Sequence, residues 1–145
     1  MGHILAEDVQ SDIDSPPYDK SLVDGYAVLA EDVKQDVVLD VLEEVLAGQT
    51  PTKSIHPKAA IQIMTGAPLP PGANAVVMVE QTSRDQQKVI IHQDTIQPEA
   101  NIMRQATSLS QGETILSQGT LIRPIEVGIL AEIGCTNVPV YQPPK

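Results

Sequence analysis

The chain has 145 residues, enough for one domain or two small ones, and carries a formal net charge of −10. This acidic balance excludes non-specific binding to nucleic acid and docking on anionic membranes, because both require lysine and arginine side chains facing phosphate. A single cysteine excludes an internal disulfide and a cysteine-ligated zinc site, and the absence of a signal peptide and of about 18 consecutive apolar residues predicts a soluble protein of the cytoplasm.

Short strands dominate the prediction for the first two thirds of the chain. The 12 prolines and 9 glycines imply many turns and few long helices, and the absence of Phe and Trp requires an aliphatic core. Residues 3–9 are predicted to form a short strand or extended arm, followed by a loop over 10–24. Further strands are predicted over 26–30, 36–48, 59–65, 73–80 and 88–92. The last two are expected to form a hairpin around a polar turn at 82–87.

The last third is predicted to be irregular, with one helix. Short strands are expected at 112–116, 120–122 and 137–141, and 142–145 is typical of a linker. The helix is predicted over 124–133, with proline in its first turn, Glu126 near its positive end and Gly134 as its stop. Arg123 is a poor N-cap, so the start is less well defined than the end. The sequence therefore predicts a mainly β protein with one short helix near its end.

The segment with the highest density of functional groups runs from residue 15 to residue 28. Two consecutive prolines fix φ and lead into Asp19, Ser21 and Asp24. The Asp24-Gly25 pair suits a tight turn in which the glycine supplies a positive φ. Taken alone, the pair favours an ordinary hairpin turn.

Two further loops carry polar side chains next to prolines or glycines. Thr65 stands at the end of a predicted strand, before Gly66, where a hydroxyl and backbone N–H groups can face an anion, although capping of a turn explains it equally well. Arg104 can bind an oxyanion, although a surface arginine is usually only solvated. An aspartate together with a threonine would suit Mg²⁺. The histidines are scattered, so we expect no histidine metal centre. The sequence alone supports no Ser-His-Asp arrangement, and it contains no phosphate-cradling glycine loop of the Walker or Rossmann kind.

A collinear series of motifs extends over most of the chain. These are ILAEDV (4–9), PYDKSLVDGYAV (17–28), AG (47–48), IMTGAPLP (63–70), GANAVV (72–77) and EQT (80–82). The series resembles the N-terminal half of the molybdopterin molybdenumtransferase family, the MoeA and gephyrin E-domain proteins. The resemblance continues to IG (133–134) and VPV (138–140).

The resemblance implies a fold, a reaction and partners. Residues 10–100 would form a β-rich, barrel-like domain, and residues 1–9 and 101–145 part of an elongated mixed domain used for dimerisation. The family's α/β molybdopterin-binding domain and C-terminal domain are expected to be absent from this chain. The family inserts molybdate into adenylyl-molybdopterin with Mg²⁺ and releases AMP, in a cleft between the subunits of a homodimer. We therefore predict a transferase fragment that is active only within the full-length dimer.

The resemblance also assigns site residues. Asp24 would hold Mg²⁺ or orient water, and Thr65 would donate a hydrogen bond to an oxyanion. These two are the predicted catalytic residues. The predicted substrate-binding residues are Ser21, Gly25, Gly66 and Arg104.

Two departures from the family pattern leave alternatives open. The family's Gly-Glu-Asp is replaced by Ala106-Thr107-Ser108, which removes two carboxylates, and Asn74 stands where an acidic residue is common. A non-catalytic dimerisation or scaffold module of the same architecture is therefore the second interpretation. The third is a generic ligand-binding β-barrel, which a structure with Asp24 and Thr65 far apart and buried would support.

Overall fold

The computed structural model describes residues 2–142 and shows two compact units. The sheet unit is Tyr18–Gln105, and the terminal unit combines the described residues before Tyr18 with those after Gln105. The chain thus passes from the terminal unit into the sheet unit and then back into the terminal unit. The assignment of 10–100 and of 1–9 with 101–145 to the domains of a longer protein stays a prediction.

The sheet unit is organised around one six-stranded sheet. Its strands are β3 (Gly25–Val28), β4 (Val37–Val45), β5 (Ala59–Ile63), β6 (Ala75–Met78), β7 (Thr82–Asp85) and β8 (Lys88–Ile91). They lie in the order β6-β3-β5-β4-β8-β7. Only β4 and β5 run parallel, and the register shifts between Val41 and Glu44 in β4. Two short strands, β2 (Lys20–Ser21) and β9 (Ile102–Met103), form a separate antiparallel pair in the same unit.

The two outermost strands of this sheet are joined by only three residues. Strand β6 leads through the 3₁₀ segment Val79–Gln81 directly into β7, at the other end of the strand order. Six strands laid flat would span about 24 Å between the outer two, because neighbouring strands lie about 4.8 Å apart. Three residues and their flanking bonds reach about 14 Å at most. The sheet must therefore curl until its edges approach each other, which accounts for the barrel-like shape.

Both faces of the curled sheet are buried. One face carries a cluster that includes Tyr26, Leu39 and Ile91, and the other a cluster that includes Ile61, Ile63 and Val76. Alternate residues of a strand point to opposite faces, so strands buried on both sides need apolar side chains at almost every position. The aliphatic runs of β3, β5 and β6 meet that requirement.

The predicted hairpin between 73–80 and 88–92 is wrong. Strand β6 pairs with β3, whereas β8 pairs with β4 and with β7. The predicted polar turn is instead the strand β7, and the hairpin turn is Gln86 and Gln87, with Gln86 at φ 51°. Strand β7 escapes notice in the sequence because its side chains are half-buried or exposed, so it shows no hydrophobic period.

The terminal unit is less regular and has its own apolar core. Strand β1 (Val9–Gln10) pairs with β10 (Thr114–Leu116), and the predicted strands at 3–9, 120–122 and 137–141 contribute mainly isolated bridges. The helix α1 (Pro124–Glu132) is confirmed, and it begins where the proline predicted. The Glu126 carboxylate accepts hydrogen bonds from the backbone N–H of Arg123 and from its guanidinium. A glutamate in the first turn thus satisfies the N-cap backbone donor, although Arg123 is itself a poor N-cap residue.

The predicted fold class is confirmed, since strands dominate and α1 is the one α-helix in the described part of the chain. No helix within residues 2–142 has the length and apolar character that crossing a bilayer requires.

Candidate functional site

Asp24 and Thr65 are in direct contact, although 41 residues separate them in the sequence. The Thr65 backbone N–H donates to Asp24 Oδ1 at 2.7 Å, and the Thr65 hydroxyl donates to the same oxygen at 2.6 Å. Both residues are exposed. A structure with these residues far apart and buried would support the generic-barrel interpretation, and this geometry lends it no such support.

The two hydrogen bonds define the electrostatic state of Asp24. The Thr65 hydroxyl and, next in effect, its backbone N–H favour the ionised carboxylate and hold the pKa of Asp24 below its ordinary value. Both bonds converge on Oδ1, so Oδ2 has no hydrogen-bond donor among the described residues. The site thus presents an ionised, oriented carboxylate with one oxygen open to solvent.

Backbone hydrogen bonds join the loop before Asp24 to the loop after Thr65. Ser21 donates its N–H to the carbonyl oxygen of Ala67 at 3.1 Å and accepts from the N–H of Gly66 at 2.9 Å. The Leu69 N–H donates to the Asp19 carbonyl oxygen at 2.8 Å. These backbone bonds connect the two loops directly and place the Asp24 carboxylate next to Thr65.

Ser21 lies inside this frame rather than on its surface. Its side chain is 1% exposed, and its hydroxyl both donates to the Val23 carbonyl oxygen at 2.6 Å and accepts from the Val23 N–H at 3.2 Å. With both functions of the hydroxyl used locally, Ser21 shapes the turn that leads into Asp24. A direct contact between Ser21 and substrate stays a prediction that this geometry does not support.

Gly25 is required for a reason other than the one predicted. Its φ is not positive, so the expected turn conformation is wrong, and β2 and β3 do not form a hairpin with each other. A Cβ on Gly25 would lie 1.9 Å from the carbonyl oxygen of Val77 on the neighbouring strand β6. Gly66, in contrast, has φ +82° and open space where a Cβ would stand. One glycine permits a close approach of two backbones, and the other permits a left-handed conformation beside Thr65.

Arg104 is bound by carboxylates of its own unit. Its Nε and Nη2 donate to Glu99 Oε2 and Oε1, each at 2.5 Å, and its Nη1 contacts Asp19 Oδ2. Glu99 first and Asp19 next raise the pKa of the arginine. Two carboxylates already pair with the guanidinium, so binding of a substrate oxyanion by Arg104 stays a prediction that this geometry does not support. Arg104 instead attaches the loop of Asp19 to the segment around Glu99.

No pattern in the sequence indicates the role of Glu99. It lies five residues before Arg104 in irregular structure, with φ 72°, so no helical or strand period links the two. Asp19 stands out in the sequence as one of the functional groups of the segment 15–28, and the structure gives its carboxylate a contact with Arg104. Ala106, Thr107 and Ser108, which replace an acidic motif, lie in the terminal unit.

The capacity of the site for a metal ion is limited to one carboxylate. Within residues 2–142 there is no group of three or more His, Cys, Asp or Glu side chains suited to a metal ion. Mg²⁺ is commonly bound by one or two carboxylates, with waters and substrate phosphates completing its shell. Asp24 fits that mode of binding and does not fit a complete protein cage.

Comparison with known proteins places the chain in a family. The family model described as the MoeA N-terminal region (domain I and II) matches residues 1–134. The chain belongs to the MoeA family. The solved molybdopterin biosynthesis moeA protein of Pyrococcus horikoshii OT3 superimposes with a TM-score of 0.87 at 37% identity, over 97% of this chain and 38% of that one.

Curated relatives give the same result for this MoeA-family chain. It is 35% identical to the molybdopterin molybdenumtransferase of Haemophilus influenzae over 96% of its own length and 34% of that protein. It is 37% identical to molybdopterin molybdenumtransferase 2 of Mycobacterium tuberculosis over 97% of its own length and 36% of that protein. The chain thus spans about a third of the length of these relatives.

Proposed function

We propose that this chain is the N-terminal part of a molybdopterin molybdenumtransferase, acting in molybdenum cofactor biosynthesis, in which Asp24 and Thr65 form one wall of the active site. The reaction would be insertion of molybdate into adenylyl-molybdopterin with release of AMP, within the homodimer of the full-length protein. Family membership and the names of the relatives support the reaction class. The observation that carries the site is the convergence of both Thr65 donors on one oxygen of Asp24.

Asp24 is the group that would meet substrate or water. Thr65 keeps it ionised and fixes the direction of Oδ2, which then accepts a hydrogen bond from an incoming group or water. Such positioning matters because catalytic groups must be held close to their productive geometry before the substrate arrives.

Thr65 acts through Asp24 and not on an oxyanion. Its one hydroxyl proton and its backbone N–H are both donated to Asp24, which leaves no donor for a second acceptor. Gly66 and Ser21 hold the loops behind the pair, Gly25 admits strand β6 beside it, and Arg104 anchors Asp19. These residues are positioning residues in the proposed mechanism.

Mg²⁺ would be held by Asp24 together with groups that the substrate supplies. When bound, the ion would neutralise charge on the phosphate and molybdate oxygens. The contribution of this chain is a carboxylate that is already ionised, so metal binding need not displace a proton.

The decisive experiment measures molybdate-dependent AMP release by the full-length protein. We expect Asp24→Asn to lower the rate by about 100-fold, the usual scale for loss of a positioned catalytic group. Thr65→Ala should also lower it, and Thr65→Ser, which keeps both donors, should restore most of it. Asp40→Asn is the matched control, because Asp40 is an exposed carboxylate of the same unit whose one side-chain partner among the described residues is Lys88.

Three outcomes separate the alternatives. Unchanged AMP release in Asp24→Asn removes Asp24 from the mechanism. No release from the wild-type full-length protein favours the scaffold module. Turnover by the 145-residue chain alone contradicts a site that needs a second subunit.

A further inference from the structure

Three side chains at the β7 edge of the sheet form a hydrogen-bonded series that the proposed reaction does not use. The Ser83 oxygen lies 2.8 Å from His92 Nε2, and His92 Nδ1 lies 2.9 Å from Asp36 Oδ1. Asp36 directly precedes β4, Ser83 lies in β7, and His92 directly follows β8. The sequence could not support a Ser-His-Asp arrangement, and the structure contains one, because its two contacts join residues 9 and 56 positions apart.

The hydrogen-bond partners of His92 determine which tautomer the neutral imidazole adopts. An ionised carboxylate only accepts hydrogen bonds, so the ring nitrogen that faces Asp36 must carry the proton. Nε2 then has a free lone pair and accepts the hydroxyl proton of Ser83. This is the same sequence of roles as in serine hydrolases, in which the aspartate selects the tautomer and the imidazole acts as base towards the serine.

The surroundings hold Asp36 in place from two sides. The side-chain amide of Gln35 donates to Asp36 Oδ1 at 3.1 Å, and the Asp36 backbone N–H donates to the Ile91 carbonyl oxygen at 2.8 Å. Asp36 adopts a left-handed φ of 57°, which aspartate tolerates better than most residues. The carboxylate is therefore fixed to the strand that immediately precedes the histidine.

The edge of the sheet also supplies a backbone donor beside Ser83. Strand β7 pairs only with β8 in the sheet. Because the His92 N–H donates to the Gln81 carbonyl oxygen at 2.7 Å, the alternation of antiparallel pairs directs the N–H of Ser83 towards β8 and that of Arg84 away from the sheet. A backbone N–H on the residue after a nucleophile is suited to stabilise the oxyanion of a tetrahedral intermediate.

We propose that Ser83 is an activated nucleophile for small acyl esters with a good leaving group, and that His92 is its base and Asp36 its positioning residue. Ser83 Oγ bonds to the acyl carbon while its proton passes to His92 Nε2. The bond from the acyl carbon to the leaving oxygen then breaks, and His92 gives that proton to the leaving oxygen, which departs as the alcohol. Water then attacks the acyl-serine, which releases the carboxylic acid and restores the serine. The net reaction is hydrolysis of the ester. The exposure of the three side chains admits small acyl donors and provides no binding cleft, so we expect slow turnover without strong selectivity.

The test treats the 145-residue chain with p-nitrophenyl acetate and locates the acetyl group by peptide mass spectrometry. We expect Ser83 to be acetylated about 100-fold faster than the exposed Ser110, which has no histidine contact among the described residues, because a positioned base contributes about that factor. This internal comparison uses only the wild-type chain, so it does not depend on a variant that folds.

Two variants distinguish a reactive Ser83 from a set of hydrogen bonds that only stabilises the fold. His92→Gln should reduce acetylation of Ser83 to the rate of Ser110. Asp36→Asn retains a hydrogen bond to the ring but favours the opposite tautomer, so it should lower acetylation at least tenfold while circular dichroism and the urea midpoint stay unchanged. Equal acetylation of Ser83 and Ser110, acetyl on His92 alone, or an unaffected Asp36→Asn variant would each overturn the proposal.

Discussion

Replacement of Gly25 by alanine tests the close approach of β3 and β6 behind Asp24. The new Cβ would stand 1.9 Å from the Val77 carbonyl oxygen and 2.9 Å from its carbonyl carbon, so the backbones must separate by about 1 Å. Overpacking of this kind costs about 1–3 kcal/mol, against a gain of about 0.4–1 kcal/mol from a less flexible unfolded chain. Because the obstacle is backbone, which cannot rotate away, we expect a loss at the upper end, about 2 kcal/mol in the free energy of unfolding.

Urea unfolding followed by tyrosine fluorescence measures this loss in the sheet unit, which holds two of the three tyrosines of a chain without tryptophan. Gly48→Ala is the matched control, because Gly48 has φ +82° and nothing within 4 Å of a new Cβ. It isolates the cost of a left-handed alanine, about 1 kcal/mol. If Gly25→Ala costs no more than Gly48→Ala, the steric argument fails. In the full-length protein, Gly25→Ala should also lower AMP release, since a shift of Gly25 moves Asp24 away from Thr65.

Three further predictions concern stability. Leu39→Ala, at a position with 0% exposure, should cost about 2–5 kcal/mol in urea unfolding, whereas Leu46→Ala, at 45% exposure just beyond the same strand, should cost less than about 0.5 kcal/mol. The Arg123 guanidinium lowers the pKa of Glu126 from 4.5 to about 2. The difference in the free energy of unfolding between wild type and Glu126→Gln should therefore be complete above pH 4.5 and vanish as the pH falls towards 2. A difference in unfolding midpoints that stays constant over this pH range would contradict the prediction. Arg104→Ala should destabilise the sheet unit more in dilute buffer than in about 1 M salt, because the contacts of this arginine are partly exposed and therefore screened; an equal urea midpoint shift at both salt concentrations would refute an ionic clamp.

The sequence predicted elements whose signals are local. Helix α1 begins and ends where proline and glycine indicated, and β4, β5 and β6 follow aliphatic runs. The pairing of strands was not predictable in the same way, because it depends on which faces must be buried together. The predicted hairpin of β6 with β8 illustrates this, because strands close in the sequence pair with other strands in the sheet.

The candidate site likewise combines residues that the sequence could predict with contacts that it could not. Asp24 and Thr65 could be selected because a resemblance pointed to both motifs, but the sharing of one carboxylate oxygen needed coordinates. Glu99 and the Ser83–His92–Asp36 series left no trace in the sequence. Their contacts are made by turns and by pairing across strands, which leave no repeating pattern in the order of residues.

The short connection between β6 and β7 has a consequence for association between molecules. While Val79–Gln81 holds the two outer strands near each other, the curvature of the sheet keeps both free edges away from flat strands of other chains. An insertion of several residues there would let the sheet flatten and present two open edges, each with unpaired backbone groups. We expect such an insertion to retain most of the core and to produce β-rich aggregates. The short connection is therefore expected to limit edge-to-edge association between molecules, in addition to setting the curvature of the sheet.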